Sequence, residues 1–191
     1  MWHRLLTIPV VSYSYCRYDT GFKFAALRFH GEIVSLMAAD MLLGHERRWH
    51  WLSQEGTAAF LNSSNPRMLV LSRMELNGGD GCCSMKSAKD VDSVCHDMFV
   101  FRSPLHANVR LDLFNYQQNI WQGENYAVGL LQLGGYELFN PCFDLPLFHN
   151  HNSDVRPNQN ENRCLHAVTF LWLPSFFLIL TAFYAASCQS A

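Results

Sequence analysis

The twenty-two residues from Leu165 to Ala186, "LHAVTFLWLPSFFLILTAFYAA", carry no formal charge apart from whatever His166 takes up. No other stretch limits the fold as strongly, because this one has no polar face to turn toward water. At about 1.5 Å of rise per residue, a helix of this length spans the ~30 Å hydrocarbon core of a bilayer. Eleven of the residues are Leu, Ile, Val or Phe, and at roughly −0.3 to −0.6 kcal/mol each they favour insertion by about −5 kcal/mol. Pro174, Thr169, Ser175 and Thr181 reduce that sum without reversing it, since membrane helices tolerate proline where freed backbone groups find partners. The sequence therefore predicts a transmembrane helix over 165–186. Its apolar surface is Leu165, Phe170, Leu171, Trp172, Leu173, Phe176, Phe177, Leu178, Ile179, Leu180 and Phe183.

The segment before it, 149–164, is rich in asparagine and has Val155 and Leu-free polar surroundings up to Cys164. It cannot bury enough apolar surface to offset its ordering entropy, so a flexible linker is expected there. The resulting organisation is a body at 1–148, a linker at 149–164, the hydrophobic tail at 165–186 and a short polar end at 187–191. Three fates are open to the tail. As a carboxy-terminal anchor it leaves the body in the cytosol, with Arg156 and Arg163 on the cytosolic flank. As a glycosylphosphatidylinositol signal it is removed, with Asn152, Ser153 and Asp154 as the small residues at the cut and Val155–Cys164 as the spacer. As a core helix it needs apolar neighbours on every side, and the linker detaches it from the body.

The lipid-anchor route requires a lumenal amino terminus. "MWHRLLTIPVVSYSYC" offers Arg4, an apolar run from Leu5 to Val11 and small residues at Ser12 and Ser14, a weak echo of a signal peptide within residues 1–14. The competing reading is a first β-strand. Asn62, in "NSS", is a glycosylation sequon that matters only in the lumen.

Composition narrows the partners. The net charge is −2 and no basic run exceeds Arg47-Arg48, so nucleic acid is not expected as a partner. Charged residues make up 16% of the chain, below the usual ~25%, and lysine occurs only at 23, 86 and 89. A surface so poor in lysine is adhesive, or the chain is a non-functional truncated or spliced product never selected for solubility. The seven cysteines are irregularly spaced, and most read as buried free thiols. A bridge from Cys82 or Cys83 to Cys95 is geometrically conceivable in a lumenal chain, whereas adjacent cysteines rarely pair with each other.

The body reads as a small α+β domain with an antiparallel meander in its second half. Strands are expected at Phe22–Phe29, Arg67–Met74, Met98–Phe101 and across "NVRLDLF" at 108–114. A helix is expected over Glu32–Leu43, stopped by Gly44 and continued by a second helical piece to about Gly56. Residues 75–83 read as a glycine-rich loop, and "SAKDVDSV" as a short helix capped by Ser87. "NYAVGLLQLGGYELF" (125–139) reads as a β-hairpin turning at Gly134-Gly135.

Catalytic motifs are sparse. Cys82-Cys83, Cys95-His96 and His106 suggest zinc, yet neither adjacent pair has the two-to-four-residue bite of a structural site. His45 and His50 are five apart, off one helical face. "NGGDG" lacks the Lys and Ser/Thr of a phosphate loop, and His149 and His151 read as solvated linker residues. The sequence thus predicts no cofactor and no metal. It points to a membrane-tethered interaction or accessory protein; an enzyme would need a cleft gathering Asp90, Asp92, Cys95, His96 or His106.

Overall fold

The structure is a computed structural model. It describes residues 17–38, 41–44, 55–76, 82–83, 95–116 and 122–149, and the backbone path of 5–6, 166–173 and 176–183. Within these the chain is a mixed α+β protein with three α-helices: α1 (Tyr18–Arg28), α2 (Glu55–Leu61) and α3 (Gly123–Leu133). Ten strands form two sheets: β1 (Leu5–Leu6), β2 (Ile33–Ala38), β3 (Met41–Leu43), β4 (Arg67–Leu71), β5 (Arg73–Glu75), β6 (Met98–Arg102), β7 (Glu137–Phe139), β8 (Leu147–His149), β9 (His166–Leu173) and β10 (Phe176–Phe183). The larger sheet has the order β1-β9-β10-β2-β6-β4-β7, and the smaller one β3-β8-β5.

The centre of the molecule is the run β2-β6-β4-β7, and its side chains alternate between two cores. Val34, Leu36, Phe99, Phe101, Met68, Val70 and Leu138 enter the first, with Tyr18, Phe22 and Ala25 of α1 and Ala127, Val128, Leu130 and Leu131 of α3. Ile33, Met37, Met98, Val100, Leu69 and Leu71 enter the second, with Leu61 of α2 and Met41, Leu145 and Leu147 around the smaller sheet. A strand covered on both faces has no reason to alternate apolar with polar residues. This is why Glu32–Leu43 reads as a helix in sequence and is instead β2 followed by β3. Every residue from Ile33 to Met37 is buried, and β2 pairs antiparallel with β6; tertiary burial overrides helix propensity.

The reverse error occurs at Phe22–Phe29, expected as a strand and found in α1. Tyr18, Phe22 and Ala25 are its buried apolar residues, at spacings of four and three, which is a helical face. Phe22 docks that face on the sheet, edge-on to Phe101 at 5.3 Å, Phe114 at 5.4 Å and Phe99 at 6.1 Å. Asp19 accepts from Lys23 one turn later at 2.6 Å.

Two further expectations are corrected. Residues 108–114 do not form a strand; Leu111–Phe114 is a 3₁₀ turn that delivers Phe114 to the first core. The hairpin expected at 125–139 is α3 followed by β7, and Gly134-Gly135 terminates the helix. Tyr136 N–H donates to Leu131 C=O at 3.1 Å and Gly135 N–H to Gln132 C=O at 2.9 Å. With Gly135 at φ +92°, this is a Schellman motif, in which glycine takes the left-handed position that closes a helix. The antiparallel meander goes with the hairpin, because β7 pairs parallel with β4, not with a sequence neighbour.

Other expectations hold more closely. Arg67–Met74 is strand, split at Ser72 into β4 and β5, and Met98–Phe101 lies in β6. Helix α2 begins about where the second helical piece was expected to stop; the first part of that expected piece, 45–54, lies outside the described residues, as do 77–81 and the expected helix at 87–94. Backbone of the tail runs as two antiparallel strands, β9 and β10, with β10 parallel to β2 and β9 beside β1.

Candidate functional site

Polar and sulfur chemistry converges where β4 gives way to β5. Arg73 and Glu75 are two apart on β5, so the period of a strand puts them on one face. Arg73 Nη1 donates to both carboxylate oxygens of Asp97, at 3.1 and 3.2 Å, and Arg73 Nε donates to Glu75 Oε1 at 3.2 Å. Glu75 is opposite His149 in the parallel β5–β8 register, and His149 Nδ1 lies 3.1 Å from Glu75 Oε2.

The four side chains are mostly shielded from solvent, Asp97 at 9% exposure and Arg73 at 17%. Burial works against the Arg73 charge, and Asp97 with Glu75 more than offsets it, holding the guanidinium above its ordinary range. The arrangement ties β5 to β8 and to the segment entering β6. Chemically it is a clamp between elements, because each charged group here is turned on another.

Next to the clamp, Asn140 bridges the split between β4 and β5. Its Oδ1 accepts from Ser72 N–H at 3.1 Å and its Nδ2 donates to Ser72 Oγ at 2.7 Å, with both residues buried. Asp97 N–H donates to Leu71 C=O at 3.0 Å. Two disulfides close over this junction, Cys82–Cys95 and Cys83–Cys142, with Cα separations of 5.8 and 5.9 Å. Cys95 and Cys142 are buried, and Cys82 and Cys83 are half-buried.

The structure therefore corrects the reading of these cysteines as free thiols. Of the residues that an enzyme cleft would need, it places only three, and His106 lies apart from Cys95 and His96. Cys95 is in a bridge, His96 is buried beside it, and His106 lies beyond the other end of β6, a strand about 16 Å long. His106 N–H donates to the Tyr136 hydroxyl at 3.0 Å. Asp90 and Asp92 lie outside the described residues, as do His45, His50 and His151. Among the described residues no group of three or more His, Cys, Asp or Glu side chains is placed to hold a metal.

Sequence reasoning missed Arg73, Glu75, Asp97, Cys142 and His149 as a group. Only the two-residue spacing of Arg73 and Glu75 was visible; the other three arrive through sheet pairing and crosslinks. His149, read as a solvated linker residue, is the last residue of β8 and is paired. Asn62 is exposed, in the turn after α2, its N–H donating to Ala58 C=O at 2.9 Å. Of the tail, 165, 174–175 and 184–186 lie outside the described residues, and 166–173 and 176–183 are described by backbone alone. Among the described residues no helix is long and apolar enough to cross a membrane. Compared with protein families, curated proteins and solved structures, the chain matches none.

Proposed function

We propose that the chain is a membrane-tethered accessory protein that acts by binding other proteins at the membrane surface. The observation that carries this reading is the uncharged run Leu165–Ala186, whose transfer to lipid is favoured by about 5 kcal/mol. Within it, 166–173 and 176–183 pair as β9 and β10. Tethering asks them to leave the sheet, where they lie between β1 and β2, and close into a helix, because hydrocarbon offers no partner for an open strand edge.

That exchange gives the binding mode. Once β10 leaves, β2 becomes an edge strand of six uncharged residues, "IVSLMA", and such an edge templates an added strand. An extended segment of a partner protein takes the place of β10. The chain either keeps its tail as an anchor or exchanges it for a glycosylphosphatidylinositol anchor.

Alkaline carbonate extraction of membranes from cells expressing the full chain tests the tether. The chain is expected in the pellet, and release of all of it into the supernatant would end this reading.

A further inference from the structure

The four bridged cysteines and the one sequon point to the side of the membrane on which the body matures. We infer that the body folds in an oxidising lumen, where Cys82–Cys95 and Cys83–Cys142 form and Asn62 is an N-glycan acceptor. This deepens the membrane reading by assigning a topology, and it can fail while that reading stands.

The sulfur geometry carries the first half. Adjacent cysteines cannot readily bridge to each other, and here each takes a different partner, 13 and 59 residues away. Both partners are brought to one place by groups that contain no sulfur. Leu71 C=O receives Asp97 N–H, which fixes the approach of Cys95, and Ser72 holds Asn140, which fixes the approach of Cys142. The hydrogen-bonded junction thus presents two buried thiols, and the Cys82-Cys83 dipeptide closes on both. Paired cysteines of this kind persist in secretory compartments and are kept reduced in the cytosol.

Asn62 carries the second half, from a separate part of the fold. It is the Asn of the chain's single Asn-x-Ser/Thr tripeptide, Asn62-Ser63-Ser64. Asn62 and Ser64 are exposed in the turn between α2 and β4, so an attached glycan extends into solvent without entering either core. Sequons in use lie on such surface turns.

Both reactions balance with reagents of known class. For each bridge, one thiolate attacks the disulfide of a thiol–disulfide oxidoreductase and forms a mixed disulfide. The second thiolate displaces the enzyme thiol, so two electrons leave the pair and the oxidoreductase is released as a dithiol. At Asn62, the side-chain nitrogen forms a bond to the anomeric carbon of a lipid-diphosphate-linked oligosaccharide. The bond to the diphosphate breaks, and the amide loses one proton.

Translation of the full chain with microsomes tests the inference. Without reductant, trypsin is expected to leave Met74–Lys86, Asp90–Arg102 and Leu111–Arg163 joined as one three-peptide species, which reductant separates. An endoglycosidase-sensitive increase in mass is expected, lost in Asn62→Gln and Ser64→Ala and kept in Ser64→Thr. Four thiols open to alkylation without reductant, empty or holding zinc, would overturn the topology. Bridged cysteines with an unmodified Asn62 would overturn the glycan site. Carbonate extraction of the same microsomes reports separately on the tether.

Discussion

Tyr116 shows how burial by neighbours sets the chemistry of a single residue. Its hydroxyl donates to Gly123 C=O at 2.9 Å, and its ring packs between those of Tyr18 and Tyr126, each at 5.3 Å. Burial pushes its phenol above the ordinary value of 10.0, with the nearby Tyr126 and Glu124 adding to the effect. Burial raises Tyr136 as well. A phenol whose pKa is higher in the folded state binds its proton more tightly there. Its contribution to stability is fully present below the unfolded pKa of about 10 and is lost as pH rises past it. Denaturation midpoints measured between about pH 9 and pH 11 are expected to fall with pH, and Tyr116→Phe to make that slope shallower. An unchanged slope would show that the phenol ionises as it does in the unfolded chain. None of this is written in the sequence around Tyr116, because the groups that bury it come from α1 and α3.

At the scale of elements, α3 is the clearest case of one sequence with two plausible structures. As a hairpin strand, "AVGLLQL" should bury alternate residues; as a helix it buries Ala127, Val128, Leu130 and Leu131 and leaves Leu133 at 86% exposure. The two geometries make different demands on Leu131 and Leu133, which share a face in a strand and not in a helix. Leu131→Ala is expected to cost about 2–5 kcal/mol. Leu133→Ala is expected to stay within about 0.5 kcal/mol of the parent. Urea denaturation of the two variants checks this, and equal losses would favour the hairpin. Gly134-Gly135 fits either structure when read alone, because positive φ serves a hairpin turn and a helix cap equally. The hydrogen bond from Tyr136 back to Leu131 decides between them.

For the whole molecule, the central question is what covers β2. It lies between β6 and β10, so removing 165–191 opens a six-residue uncharged edge, and open edges pair with other chains. A chain ending at Cys164 that keeps its helical circular dichroism is expected to self-associate with concentration in sedimentation velocity. A monomer at all concentrations would show that β2 has no need of β10. How much of this was legible varies with the physics involved. The apolar runs at 32–43, 67–74 and 98–101 marked core-forming segments, and each contains a central strand. Their type was legible only at 67–74 and 98–101, where length and β-branched or aromatic content agree. The clamp of Arg73, Glu75, Asp97 and His149 was not legible, since its members span 77 positions of sequence and meet through sheet register.

The sequence by itself determined what must be buried, where turns are cheap, and that the last apolar run has no polar face for water. These are properties of residues and their spacing, and transfer energy depends on little else. Tertiary structure alone decided which runs are strands and which are helices, which thiols meet, and which charges close on one another. Those outcomes depend on surfaces contributed by distant segments. A strand buried on both faces and a buried helix present the same letters until the neighbours on each side are in place.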